Sequence, residues 1–259
     1  MSEKIVFKVP KLEVAPFSRA KVTIIVPFHG QYEKVTKLVR SIVMATRSNP
    51  YEIVLVDDCS PNRQFIEKVK GTPQVKTFRS EKHLGMGRAL KLGFESTKQP
   101  WVVFLNSDCV IEKPNWLIEM GRTLIALKDQ KVKMVSARMD NMPGYSSRLK
   151  SSKDAVDPHY VMTENEDLPL TCVMCHRDLF KHIGGFVKSY PLGYEDEELA
   201  HRMRKAGYKQ AISGISWVHH DGGGGATLNQ LFQEDPEEFK KKSELSREMC
   251  IEDIRKLKL

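Results

Sequence analysis

Nowhere does the chain carry about twenty consecutive apolar residues, the length that crosses a bilayer as a helix. No transmembrane segment is therefore expected. Residues 1–10, MSEKIVFKVP, lack the apolar core of a secretion signal. Cysteine is scarce: five residues, an odd number in a long chain, do not read as a disulfide framework. These absences together favour a reducing cytoplasm. No Gly-x-x-x-x-Gly-Lys-Ser/Thr stretch occurs, which excludes a P-loop. No glycine-rich turn follows the first apolar run, so the dinucleotide fingerprint is missing as well. There is no internal repeat.

What is present is 259 residues, 41% of them hydrophobic, enough for one substantial α/β domain or two small ones. The net charge of +8 is unevenly placed. Residues 1–100 carry 18 Lys and Arg against 9 Asp and Glu, whereas residues 235–259 carry 7 of each. A basic first half suits an anionic ligand such as a nucleotide, nucleic acid or acidic lipid. A merely basic surface is the plainer account.

Residues 1–20 read as an extension. Val22 to Pro27 is a continuous apolar run, the mark of a strand buried on both faces. Helical spacing follows through Val35, Leu38, Val39, Ile42 and Val43. Ile53 to Asp58 is a second buried strand that stops at two carboxylates, and Val75 to Phe78 is a weaker one. A helix from Ala89 to Ser96 precedes the strand Trp101–Leu105, which closes on Asn106, Ser107 and Asp108. A helix from Asn115 to about Leu127 and a strand from Lys133 to Ala137 come next. Residues 140–168 break the pattern. Order resumes with Leu170–Cys175, a short helix at Asp178–His182, an acidic helix and a strand from Lys209 to Val218. The last stretch is charged, with Leu245, Met249 and Ile254 at loosely helical spacing. This alternation predicts a mostly parallel sheet covered by helices, with ligands bound beyond the carboxyl ends of its strands. His29, Asp57, Asp58, Asn106 and Asp108 stand at those ends.

Several constellations carry chemistry. From Glu195 to Glu198 four carboxylates open a helix that ends at Gly207. They suit the positive end of its dipole, but capping needs only one or two, and the surplus offers a base to a cleft. Asn106 and Asp108 offer few oxygens to a hard divalent cation that phosphate and water complete; the same residues also make a hydrogen-bonded turn. His219 and His220 precede Gly222–Gly225, with adjacent rings facing opposite ways along a strand. One imidazole there suits a metal, manganese better than magnesium, and the glycines admit phosphate or movement. A flexible linker with solvated histidines is the alternative. Arg88, in the first turn of a helix opened by glycines, is placed to meet a phosphate. Cys172 and Cys175, followed by His176, imitate half a zinc site without the other half, and read as buried strand cysteines.

Taken in order, Val22–His29, Ile53–Ser60, Leu105–Asp108, Arg177–Phe186, Tyr194–Leu199 and Val218–His220 resemble the family 2 glycosyltransferases of the GT-A fold. The Asn-x-Asp motif and the His-His-x-Gly-Gly ending are most similar to rhamnosyltransferase-like members. The resemblance covers residues 21–228 and implies one Rossmann-like GT-A domain with a mostly parallel mixed sheet flanked by helices. A nucleotide-binding half would span about 21–110 and an acceptor-binding half 111–228. A charged helical tail would occupy 229–259.

The resemblance further implies an inverting hexosyltransferase-class enzyme using a nucleotide-diphosphate sugar, UDP- or dTDP-linked, with Mn²⁺ or Mg²⁺. By motif matching, Pro27, His29, Asp57 and Asp58 line the nucleoside pocket and Arg88 lies near the nucleotide. Asn106 and Asp108 hold ribose and metal, Ser107 joins the nucleotide-sugar contacts, and His219 or His220 completes the metal or pyrophosphate site. The base matches Asp196, beside Glu195. Members often carry Asn where His83 and Lys91 stand and a full Asp-x-Asp where Asn106 stands, which puts metal dependence in question. The acceptor is open among glycan, lipid-linked saccharide, protein and modified DNA. A non-catalytic sugar- or nucleic-acid-binding module on the same scaffold is one rival. A sugar-phosphate nucleotidyltransferase is the other, although Phe28-His29-Gly30-Gln31 lacks its basic glycine-rich turn.

Overall fold

The computed structural model describes residues 21–47, 49–69, 71–140, 153–154, 156–221 and 232–257. The extension at 1–20, the Gly222–Gly225 run and residues 141–152 of the long loop lie outside them. In chain order the elements are β1 (Val22–Phe28), α1 (Tyr32–Ala45), β2 (Tyr51–Asp57), α2 (Gln64–Val69), β3 (Val75–Arg79) and α3 (Met86–Glu95). Then come β4 (Trp101–Leu105), β5 (Cys109–Val110), α4 (Trp116–Ala126), β6 (Val132–Met139), β7 (Tyr160–Val161) and β8 (Cys172–His176). The chain continues through α5 (Arg177–His182), α6 (Glu195–Lys205), β9 (Lys209–His220) and α7 (Pro236–Leu257).

Among the described residues the strands form one nine-stranded sheet in the order β3-β2-β1-β4-β8-β6-β9-β5, with β7 also beside β9. Strands β3, β2, β1 and β4 are mutually parallel. β8 runs against both β4 and β6, which sets β6, and its parallel partner β9, in the direction of the first four. Six strands therefore end at one edge. The expectation of a mostly parallel mixed sheet holds.

The core forms where the apolar pattern requires it. All seven residues of β1 and of β2 are buried, as strands covered on both faces must be. On α1 the buried stripe is Val35, Leu38, Val39 and Ile42, a helical i, i+3, i+4, i+7 set. Val43, grouped with that stripe in the sequence, instead turns outward with 44% exposure. Helix α3 packs on β1 and β2. At Gly93 a Cβ would stand 2.5 Å from Ile25 Cγ2, so only glycine admits this approach. Phe104, Phe180 and Phe186 meet pairwise with ring centroids 4.9–5.0 Å apart, a desolvated aromatic centre beneath α5. Cys172 and Cys175 are fully buried free thiols in β8, as their spacing predicts.

Three differences from the sequence reading have local causes. α3 begins at Met86, three residues before the first expected position, because Gly85 at φ 80° turns the chain into the helix. β9 runs two residues past Val218, paired at its end with β5, a strand of two residues too short to leave a period. On α7 the buried positions are Ser246 and Cys250, while Leu245 is 46% exposed. That helix docks through polar contacts, which hydrophobic spacing does not reveal.

Candidate active site

The strand ends gather the charged residues. Pro27 is buried in β1 beyond Ile25↔Phe104, the last β1–β4 pair. Asp57 closes β2 and is fully buried. Its Oδ1 accepts the Ser60 amide at 2.8 Å and its Oδ2 an Arg79 guanidinium N–H, while Arg79 Nη2 reaches the Ser60 carbonyl at 2.7 Å. Asp58 is equally committed. Its carboxylate accepts the amides of Leu84 at 2.7 Å and Gly85 at 2.9 Å, the Ser80 hydroxyl at 3.1 Å, and lies 3.0 Å from His83 Nδ1. The exposed His29 sets its Nδ1 2.7 Å from the Asp58 carbonyl oxygen and its ring edge-on to His83, with centroids 4.9 Å apart. The two carboxylates thus fix the loop that bears the two imidazoles.

At the end of β4, the Asn106 amide donates to the Thr171 carbonyl at 2.8 Å, and Ser107 is half-buried beside it. The Asn106 Oδ1 is buried without a hydrogen-bond partner among the described residues. Asp108, 5% exposed, places Oδ1 3.4 Å from His220 Nε2, and its carbonyl accepts the Asp221 amide. β5 and β9 create this pair by matching Cys109 with His220. His219 faces away, its Nδ1 bonded to Asp140 and its Nε2 3.1 Å from Asp221. Burial disfavours its charge, yet the hydrogen bonds and charges of Asp140 and Asp221 outweigh burial and hold the ring above its ordinary pKa. Adjacent histidines facing opposite ways is the arrangement a strand dictates.

Among the described residues no group of three or more His, Cys, Asp or Glu side chains is arranged around a cation. The Asp108 carboxylate and the His220 imidazole, which do meet, suit a hard divalent ion in kind, and the turn that carries Asp108 also carries the Asn106 amide oxygen. Phosphate oxygens would complete such a shell.

The acidic helix separates its carboxylates by role. Tyr194, in the left-handed region at φ 77°, turns the chain into α6. The Glu195 side chain is buried, and its Oε1 accepts the amides of Gly87 and Tyr190, both at 3.2 Å. Glu198 is buried in a two-pronged pair with Arg202 at 2.6 and 2.7 Å. Asp196 is half-buried, and its Oδ1 accepts the adjacent Glu197 amide at 3.1 Å. Burial raises the pKa of both Glu195 and Asp196, against the lowering effect of the amides around them. Asp196 is therefore the less engaged carboxylate of the pair.

The structure joins these groups through the start of α3. Asp58 bonds Gly85, Glu195 bonds Gly87, and the Arg88 amide donates to Ser189 Oγ at 2.7 Å, leaving the Arg88 side chain exposed. The sequence reading missed Asp140 and Arg79 as site residues. Asp140 follows β6 directly, the position that singled out Asp58 and Asp108, so the strand-end rule contained it.

The protein belongs to the family described as Glycosyl transferase family 2, whose match spans residues 23–184. It is 30% identical over 143 residues to a dolichol-phosphate mannosyltransferase of Pyrococcus furiosus, covering 52% of this chain and 39% of that one. The mannosyltransferase PcManGT of Pyrobaculum calidifontis, solved with GDP-Man and Mn²⁺, superimposes with a TM-score of 0.61 at 18% identity, over 85% of this chain and 63% of that one. The S. aureus TarS 1–349 complex with UDP-GlcNAc gives 0.60 at 20% identity, over 86% and 64%. The chain thus spans less than two thirds of each of these proteins, and at such identities the two structures establish the GT-A fold alone. Among the described residues no helix is long and apolar enough to cross a membrane.

Proposed function

We propose that this protein is an inverting glycosyltransferase that moves a sugar from a nucleotide diphosphate to an acceptor hydroxyl, metal-assisted, with Asp196 as general base. The observation that carries the reading is the division of labour at the helix start. Glu195 and Glu198 are spent on hydrogen bonds and an ion pair, and Asp196 keeps carboxylate capacity free at a raised pKa. A base is most effective when its pKa approaches the working pH.

The donor diphosphate would lie across the strand ends, with the base in the pocket of Pro27, His29 and Asp57 and its phosphates toward Arg88. Asp108, His220 and Asn106 would hold a Mn²⁺ or Mg²⁺ ion, which when bound supplies positive charge to the diphosphate as it leaves. The acceptor oxygen forms its bond to the anomeric carbon as the bond to the phosphate oxygen breaks. Its proton passes to an Asp196 oxygen. One displacement on the face opposite the leaving group inverts the anomeric centre and needs no covalent nucleophile. Support for a nucleotide-sugar donor also comes from the family and from the ligands of the similar structures, GDP-Man in one and UDP-GlcNAc in the other.

The test is calorimetric titration of UDP-, GDP- and dTDP-sugars with Mn²⁺, followed by assay of donor hydrolysis without added acceptor. Hydrolysis that depends on Asp196 supports the enzyme. Binding without any hydrolysis or transfer would instead indicate a sugar-binding module on this scaffold.

A further inference from the structure

We infer that α7 holds the segment 188–194 and thereby sets the position of the Glu195–Asp196 pair, so that Ser246 and Asp253 are positioning residues for the proposed reaction. The inference rests on the assignment of Asp196 as the base for its consequence in turnover, but not for its geometry.

α7 meets the segment through specific polar contacts. Ser246, fully buried in the middle of α7, accepts the Leu192 amide on its hydroxyl at 2.8 Å. Asp253, two turns further on, accepts the Tyr190 hydroxyl at 2.9 Å and pairs with Lys188 at 2.5 Å. Cys250, between them on the same face, directs its thiol to the Tyr194 carbonyl at 4.0 Å. Three successive turns of one helix therefore grip residues 188, 190, 192 and 194.

The opposite side of the segment is gripped by α3. Ser189 Oγ accepts the Arg88 amide, and the Tyr190 amide shares Glu195 Oε1 with Gly87. A Cβ at Gly87 would stand 2.3 Å from the Lys188 carbonyl oxygen, so the approach is as close as backbone permits. Between the two grips, Gly193 at φ 74° and Tyr194 at φ 77° make consecutive left-handed steps. A bulky residue there is unfavourable by about 1–3 kcal/mol and persists only where its surroundings fix it. Those steps lead into Glu195, which turns back to α3, and the half-buried Asp196 beside it. The surroundings that fix them are largely α7.

The plain alternative is that α7 only adds stability. Four variants separate the two: Ser246→Ala, Asp253→Ala, Asp253→Asn and Tyr190→Phe, with Leu245→Ala as a control on the exposed face of α7. In the full chain, amide hydrogen exchange in residues 188–195 is expected to quicken about fivefold or more for each lost hydrogen bond, with β1 and β2 unchanged. Asp253→Asn keeps an acceptor for Tyr190 and should loosen the segment less than Asp253→Ala. NMR titration of the Asp196 carboxyl should move toward the ordinary aspartate range as water gains access. Turnover of the nucleotide sugar that the wild type uses should fall with unchanged affinity for the nucleotide diphosphate.

Unchanged exchange in 188–195, or quickened exchange with an unchanged Asp196 titration, would overturn the proposal. Should Asp253→Ala fail to fold, Asp253→Asn and Tyr190→Phe give the same decision from near-isosteric changes. Exchange and titration need no turnover. They decide the role of α7 even where Asp196→Asn proves fully active and the base assignment fails.

Discussion

The carboxylate of Glu195 accepts the amide of Gly87, 108 residues earlier in the chain, at 3.2 Å. One hydrogen bond thereby ties the acidic helix to the first turn of α3, whose preceding loop is held by Asp58. The proposed nucleotide side and the proposed catalytic side meet at a backbone amide, not at a pair of charged groups. This gives Glu195 a reason to be buried and acidic without being the base.

Glu195→Gln is expected to be mild. The amide oxygen of Gln still accepts from Gly87 and Tyr190, so stability should change by under about 1.5 kcal/mol and transfer should persist. Glu195→Ala strands two buried amides, and about 2–4 kcal/mol should be lost. Denaturant unfolding of both variants checks the contrast. A larger turnover loss in Glu195→Gln than in Asp196→Asn would reverse the roles assigned to the two residues.

Asp108→Ala should abolish the metal dependence of nucleotide binding. Wild type is expected to bind a nucleoside diphosphate more tightly with Mn²⁺ than with EDTA, since Asp108 and His220 supply only part of a shell that phosphate completes. Calorimetry in the two conditions reads the difference directly. Equal affinity in wild type would remove the metal from the proposal while leaving the nucleoside contacts intact.

Asp57→Ala should cost stability as well as nucleoside affinity, with or without metal. Its fully buried carboxylate neutralises Arg79, and breaking such a pair from one side costs about 3–5 kcal/mol. A lowered unfolding midpoint with unchanged m-value, together with weaker binding in EDTA, is the expected pattern.

Glu52 should make the fold sensitive to acid. Burial opposes its charge, but hydrogen bonds from Thr97, Lys76 and Thr23 win and hold the carboxyl at about 2, below the ordinary 4.5. A depressed acid contributes stability above its unfolded pKa and loses it as pH falls through the folded one. The loss therefore falls between about pH 4.5 and 2. Glu52→Gln should flatten that part of the stability curve, as measured by urea unfolding at successive pH values.

The parallel half of the sheet was legible because strands buried on both faces write continuous apolar runs, as Val22–Pro27 and Trp101–Leu105 do. Asp58, Asp108 and the His219–His220 pair were legible for a linked reason: polar residues that end such runs have nowhere to sit but the edge; which of the two rings turns toward Asp108 was not. The Asp108–His220 pairing needs β5, whose two residues carry no period, so it required the structure. Arg79 and Ser246 were hidden because a polar residue bound to backbone or to a buried charge leaves no hydrophobic pattern. The grip of α7 on the loop before α6 is of that kind.

Asp196→Asn is the decisive substitution. It keeps the size of the side chain and its acceptor for the Glu197 amide, and removes only the proton-accepting carboxylate. If Asp196 is the base, transfer falls by about 10²–10⁴ while affinity for the donor stays near wild type, since the proposed donor contacts lie on other elements. The pH profile gives a second reading. Burial raises the Asp196 pKa above the ordinary 3.8, so the acidic limb of kcat should lie above that value in wild type. A base must be deprotonated to act, so activity rises with pH through this limb. The residual activity of Asp196→Asn should lack the limb. Near-full transfer in both a folded Asp196→Asn and a folded Glu195→Gln would reduce the acidic run to a helix start and overturn the base assignment, with the nucleotide-binding reading untouched.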